Sequence, residues 1–149
     1  MNAVQRVRKT DLDRNTREVI NTVLRGRTTV VESYGQPEVA IMDIVDYYIV
    51  RAVMRYYAHR PEIDVEAGLL DQEVAEVSDP QDRFNLVLAH YLAGAISLGR
   101  AAELLSLSWF DLRTRCLRLD VPLRTGPADL AEARADIEAA EAWATTPEP

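Results

Sequence analysis

The feature that most constrains this sequence is the segment from Lys9 to Tyr48, in which turn residues separate helical from extended patterns. Apolar residues recur at helical spacing between Leu12 and Leu24, and Gly26 follows where a left-handed cap ends a helix. Next, TTVVES, a turn beginning at Tyr34, and EVAIM predict a β-hairpin. This order predicts an α+β module.

The ends of this segment carry their own signals. Alternating residues from Val4 to Lys9 predict a short strand. Thr10 and Asp13 have the spacing of a capping box, which predicts one helix starting there. Asp43 is placed to cap a second helix that Pro61 ends. The predicted order is therefore strand, helix, hairpin, helix.

The second helix is apolar or aromatic on nearly all sides, which indicates burial on several sides. A module of about 60 residues has little core of its own with which to achieve this. We therefore expect a homodimer, or a higher even oligomer, in which this helix and the hairpin contribute to the interface. The expected interface residues are Val30, Ile41, Tyr47, Tyr48, Val53 and Tyr56.

Basic residues cluster around the start of the first helix, where backbone N–H groups and cationic side chains together favour phosphate. The cluster predicts DNA binding, and a two-fold dimer would present it twice to a palindromic operator. A solvated basic face without a ligand is the alternative. The predicted DNA-binding residues are Arg6, Arg8, Lys9, Thr10, Arg14, Asn15 and Arg17.

Charge divides the chain of 149 residues into alternating segments, although its net charge is −7. Residues 1–60 carry a balance of +3, and residues 61–82 carry −8. Residues 83–124 return to +3, and residues 125–149 carry −5. We therefore predict a module at 1–60, an acidic connector at 61–79, a second module at 80–124 and an acidic helical tail at 125–149 with a disordered end.

The second module reads as three short helices. Asp79 and Pro80, Ser97, and Ser108 each provide a helix start, and apolar residues follow at helical spacing. Two helices joined by a tight turn with alanine-rich packing predict a helix-turn-helix layout. A three-helix unit that serves packing alone is the alternative.

The segment from Lys9 to Tyr48 resembles the N-terminal part of the Phd/YefM antitoxin family, over about residues 4–58. Members of that family bind operator DNA as dimers and neutralise a toxin, so the resemblance implies the same function for the basic cluster. The run GAISLGRAAELLSLS, followed by Trp109 and Phe110, resembles a small helix-turn-helix antitoxin family often encoded beside PIN-domain toxins. That match covers about residues 82–124.

The acidic tail carries a narrow apolar stripe, and a helix of its length is marginal alone in water. Packing into a groove of a partner would bury the stripe, and packing on its own module is the alternative. By resemblance the partner is a toxin, most readily a PIN-domain ribonuclease, with Doc-like and RelE-like toxins left open. The expected toxin-binding residues are Trp109, Arg118, Arg124, Leu130, Ile137 and Trp143.

The sequence shows no pattern typical of a catalytic site. His59 and His90 lack partners at zinc-ligand spacing, and Cys116 lies on an apolar helix face. Phosphate loops and nucleophile elbows are absent from the sequence. We therefore expect no enzyme, no metal, no cofactor and no small-molecule substrate.

The sequence shows no apolar run of membrane-spanning length and no secretory signal pattern, and its single cysteine suits a reducing compartment. We therefore expect a cytoplasmic protein without membrane contact. The leading hypothesis is a type II antitoxin that also represses its own operon. A free-standing transcription regulator without a toxin is the alternative, and a first module that serves dimerisation alone is a third possibility.

Overall fold

The computed structural model describes residues 4–123, 134 and 137–142. It shows an α+β fold in which a three-stranded sheet is followed by several helices, as expected from the sequence. The chain divides into two compact units, Met1–Tyr47 and Tyr48–Pro149. The predicted domain limits at residues 60, 79 and 124 stay predictions.

The first unit contains the sheet. Its strands are β1 (Val4–Arg8), β2 (Thr28–Ser33) and β3 (Gln36–Ile41), with the helices α1 (Lys9–Leu12) and α2 (Thr16–Leu24) between β1 and β2. Strand β2 is central, parallel to β1 and antiparallel to β3. The predicted hairpin is confirmed, and its turn residues Tyr34 and Gly35 both have positive φ, which suits the twist of a tight hairpin.

The predicted single helix from Thr10 to Leu24 is wrong, because the chain leaves helical geometry at Asn15. The Thr16 hydroxyl donates a 2.7 Å hydrogen bond to the Leu12 carbonyl, the acceptor that the Thr16 N–H would use in a continuous helix. The predicted Thr10–Asp13 capping box is also wrong, since Arg8 is the N-cap of α1 and makes no side-chain cap bond. Two helices replace the one expected.

Helix α2 is positioned by a buried stripe. Val19 and Val23 are one turn apart and buried, and α2 packs on β2, where Val31 is buried. The helix ends at Arg25, and Gly26 takes the positive φ expected of a C-terminal cap. The opposite side of α2 therefore faces solvent.

Helix α3 (Ile44–His59) follows β3 and begins as predicted. The Asp43 carboxylate accepts hydrogen bonds from the N–H groups of Val45 and Asp46, at 2.9 and 3.3 Å. These bonds satisfy two of the donors that the first turn of a helix leaves without an acceptor. Asp43 therefore fixes where α3 starts.

The second unit contains the larger core. Its further helices are α4 (Asp71–Ala75), α5 (Pro80–Leu92), α6 (Leu98–Leu104) and α7 (Trp109–Arg118). Asp79, Ser97 and Ser108 cap α5, α6 and α7 through their side chains, which confirms the three predicted starts. Val87, Leu88, Ala101, Leu112 and Cys116 are almost fully buried.

Candidate nucleic-acid interface

The predicted DNA-binding residues lie in β1, in α1, in the turn between α1 and α2, and at the start of α2, and all are exposed. They differ in whether a carboxylate lies within ion-pair distance. Arg6 pairs with Glu32 at 2.7 Å, Arg8 with Asp11 at 3.0 Å, and Lys9 with Glu38 at 3.5 Å. We call these three residues the paired cations, because each already has a carboxylate partner. Thr10 lies beside them on α1.

A second set of cations lies on α2 and at its two ends. Arg14, Arg17 and Arg25 border one open groove of about 490 Å³, and we call them the groove cations. Within residues 4–123, 134 and 137–142, no carboxylate forms an ion pair with any of the three. Their positive charge is therefore available to a ligand.

Two amide side chains lie between the groove cations. Asn15 and Asn21 border the same groove, which we call the α2 groove, together with Glu18. Asn15 occupies the N-cap position of α2, yet its side chain accepts no capping hydrogen bond. Asn21 was not among the predicted residues, and neither was Arg25. Their signal in the sequence was a spacing of one and two helical turns from Arg17.

The residues expected at a dimer interface are spread over both units. In the first unit, Val30 and Ile41 are half-buried and Tyr47 is 44% exposed. Nearby in the sequence, Val39 and Ile44 are also exposed, at 56% and 55%. All described residues of β3 except Ile41 are exposed, so this strand has apolar surface left to cover.

In the second unit, Tyr48, Val53 and Tyr56 are half-buried. The Tyr48 ring lies against Phe84, with centroids 5.3 Å apart, and its carbonyl accepts a hydrogen bond from Gln81. The Tyr56 ring packs edge-on against Tyr57 at 5.2 Å. These side chains therefore already contribute to packing inside one chain.

The residues expected to contact a toxin are only partly described. Trp109 is half-buried at the start of α7, where it borders a cleft of about 610 Å³ together with residues of α6 and with Glu138, Ala139 and Ala142. Arg118 is half-buried at the end of α7, and Ile137 is 57% exposed. Arg124, Leu130 and Trp143 lie outside the described residues.

Helix α7 also exposes apolar side chains that are not among the expected toxin-binding residues. Phe110 and Leu117 are each 51% exposed, two turns apart on the same face. Arg113 lies between them, with its guanidinium carbon 5.8 Å from the centroid of the Trp109 ring. Arg115 is bound to Asp111 at 3.1 Å. The face of Phe110 and Leu117 is therefore mixed, since it combines apolar side chains with the cationic Arg113.

Among the described residues, no group of three His, Cys, Asp or Glu side chains is arranged to hold a metal ion. In the same part of the chain, no helix combines the length and apolarity that crossing a membrane requires. Comparisons of the chain with protein-family models, with curated proteins and with solved structures found no match.

Proposed function

We propose that this chain is a type II antitoxin that binds operator DNA as a dimer and neutralises a cognate toxin. The observation that carries the proposal is the α2 groove, where three arginines without ion-pair partners among the described residues share one exposed surface. Nucleic-acid affinity comes largely from cations that neutralise phosphates, and cations already bound to carboxylates contribute less. The proposal therefore uses the charge that the fold leaves available.

Dimerisation is part of the proposal. The exposed apolar residues Val39, Ile44 and Tyr47 lie in a unit whose buried apolar residues, within the described part of the chain, are three valines. Covering these residues with a second copy would supply burial that the unit lacks by itself. A dimer would also place two α2 grooves on one duplex.

The second unit supports a protein partner. Helices α6 and α7 are joined by the four residues 105–108, with Ser106 at a positive φ, which is the length of a helix-turn-helix turn. We assign this pair as a helix-turn-helix. The exposed apolar residues of α7 favour a protein over bare DNA as the neighbour of that face. The choice of a PIN-domain ribonuclease rests on resemblance alone.

The test is co-expression of the tagged chain with the product of the adjacent gene. Purified material is then titrated against a duplex from the region upstream of both genes. An antitoxin should co-purify with its neighbour, restore growth and retain salt-sensitive DNA binding. DNA binding without a protein partner would instead support the free-standing regulator. Loss of both activities would contradict the proposal.

A further inference from the structure

The α2 groove contains more than positive charge. Among the side chains that border it are three arginines, two asparagines and one glutamate, with no lysine. Arginine pairs in bidentate fashion with guanine, and asparagine with adenine, whereas lysine serves phosphate as a point charge. Arginine also binds phosphate in bidentate fashion and asparagine contacts phosphate oxygens, so these side chains suit both the backbone and the base edges of a duplex. The composition is that of a surface able to read base edges.

The geometry of α2 fits this chemistry. Val19 and Val23 hold one face of the helix against β2, so the opposite face, which carries the α2 groove, is directed towards solvent. Asn21 and Arg25 lie one turn apart on that exposed face. Helix α2 is about 13 Å long, from Thr16 to Leu24, at a rise of about 1.5 Å per residue. This length matches about four base pairs at about 3.4 Å each, and a major groove about 12 Å wide admits a helix.

The side chains are also uncommitted. The Asn15 side chain does not cap α2. The side-chain amide of Asn21 and the guanidinium group of Arg25 have no hydrogen-bond partner among the described residues. Exposed polar groups without internal partners can adopt the geometry that a base edge requires. By contrast, Arg6 is held by Glu32.

We infer that the α2 groove reads the base sequence of duplex DNA from the major groove, with Asn21 and Arg25 as specificity-determining residues. The inference rests on the proposed function, because it assumes that the chain binds DNA. Asn21 contacts an adenine and Arg25 a guanine, while Arg14, at the start of the groove, contacts phosphate. Each half of a two-fold operator then contains both purines at fixed spacing.

The experiment is selection from a duplex pool with a randomised core of about 20 base pairs, using the full-length chain. Wild type, Asn21→Ala, Asn21→Gln and Arg25→Ala are compared. We expect Asn21→Ala to lose preference at one adenine position and to bind the wild-type motif about tenfold to a hundredfold more weakly. Arg25→Ala should lose preference at a guanine position. Affinity for non-specific duplex should change little in Asn21→Ala.

Arg27→Ala is the matched control. Arg27 is exposed, and its replacement by Ala removes the same charge as Arg25→Ala, but Arg27 is not among the side chains that border the groove. The Arg27→Ala variant should therefore select the wild-type motif. Thermal unfolding followed by circular dichroism checks that the variants are folded, which exposed sites should permit.

The outcomes separate the two proposals. If Asn21→Ala and Arg25→Ala enrich the same motif as wild type, base reading by the α2 groove is wrong while DNA binding stands. If wild type enriches no motif, binding all duplexes alike, the inference is wrong and only non-specific binding survives. If wild type binds no duplex, the DNA part of the proposed function is lost as well.

Discussion

The paired cations and the groove cations lie within 20 residues of each other, yet the fold treats them differently. Arg6, Arg8 and Lys9 each contact a carboxylate, one of them at 2.7 Å. Arg14, Arg17 and Arg25 have no ion-pair partner among the described residues and share a groove. The comparison teaches that the number of basic residues in a sequence overestimates the positive charge available to a ligand. The tertiary structure determines which of these residues are already paired with carboxylates.

The largest expected effect concerns the platform beneath the groove cations. Val23→Ala removes buried apolar volume between α2 and β2, and should lower the free energy of unfolding by about 2 kcal/mol. Urea denaturation measures the change. Leu24→Ala is the control, because Leu24 is 61% exposed on the same helix and should shift stability by less than about 0.5 kcal/mol. Equal effects would mean that α2 is not held through its valine stripe.

A second prediction converts paired cations into available ones. The variant Asp11→Asn, Glu32→Gln, Glu38→Gln removes all three carboxylate partners, so the cations of β1 and α1 should become accessible to phosphate. We expect affinity for duplex DNA at low salt to rise about tenfold. Fluorescence anisotropy measures it.

The matched control removes the same negative charge elsewhere. Glu62, Glu66 and Glu76 are exposed in the second unit, and their triple Gln variant changes net charge equally. It should raise affinity much less. An equal rise in both variants would show that total charge matters and ion pairing does not.

The smallest expected effect is a difference in the free energy of unfolding between a variant of the paired cations and a variant of the groove cations. Arg6→Ala breaks an ion pair whose Glu32 side chain is only 16% exposed, although the Arg6 side chain is 70% exposed and screened by solvent. We expect a loss of at most about 1 kcal/mol, and of less than about 0.5 kcal/mol for Arg17→Ala. Urea denaturation compares the two. A larger loss for Arg17→Ala would reveal a structural role that the groove does not suggest.

Local signals in the sequence predicted much of the fold. The hairpin, the caps at Asp43, Asp79, Ser97 and Ser108, and the stop at Gly26 depend on residues close in sequence. The break between α1 and α2 escaped prediction. The break depends on a hydrogen bond from the Thr16 hydroxyl to the Leu12 carbonyl, and the spacing of apolar residues carries no information about that bond.

The availability of charge could not be read from the sequence either. Arg6 and Glu32 are 26 residues apart, and Lys9 and Glu38 are 29 apart. The Arg6–Glu32 pair depends on the parallel register of β1 and β2, which places Arg8 opposite Glu32 and Arg6 two residues away. Sequence spacing carries no signal for such a register. The predicted DNA-binding set therefore contains Arg14 and Arg17, which border one groove, but gives them the same weight as the paired cations.

The central claim is that the groove cations, and not the paired cations, bind DNA. The most direct test compares two triple variants in a titration over a range of salt concentrations, with the duplex from upstream of the gene. Arg14, Arg17 and Arg25 are changed to Ala in one, and Arg6, Arg8 and Lys9 in the other, so both lose three charges.

The account predicts that the groove variant binds more weakly and has a shallower dependence of log affinity on log salt, by roughly 0.9 for each lost phosphate contact. The paired variant should keep nearly the wild-type slope. A paired variant that loses as much slope as the groove variant, or more, would contradict the account.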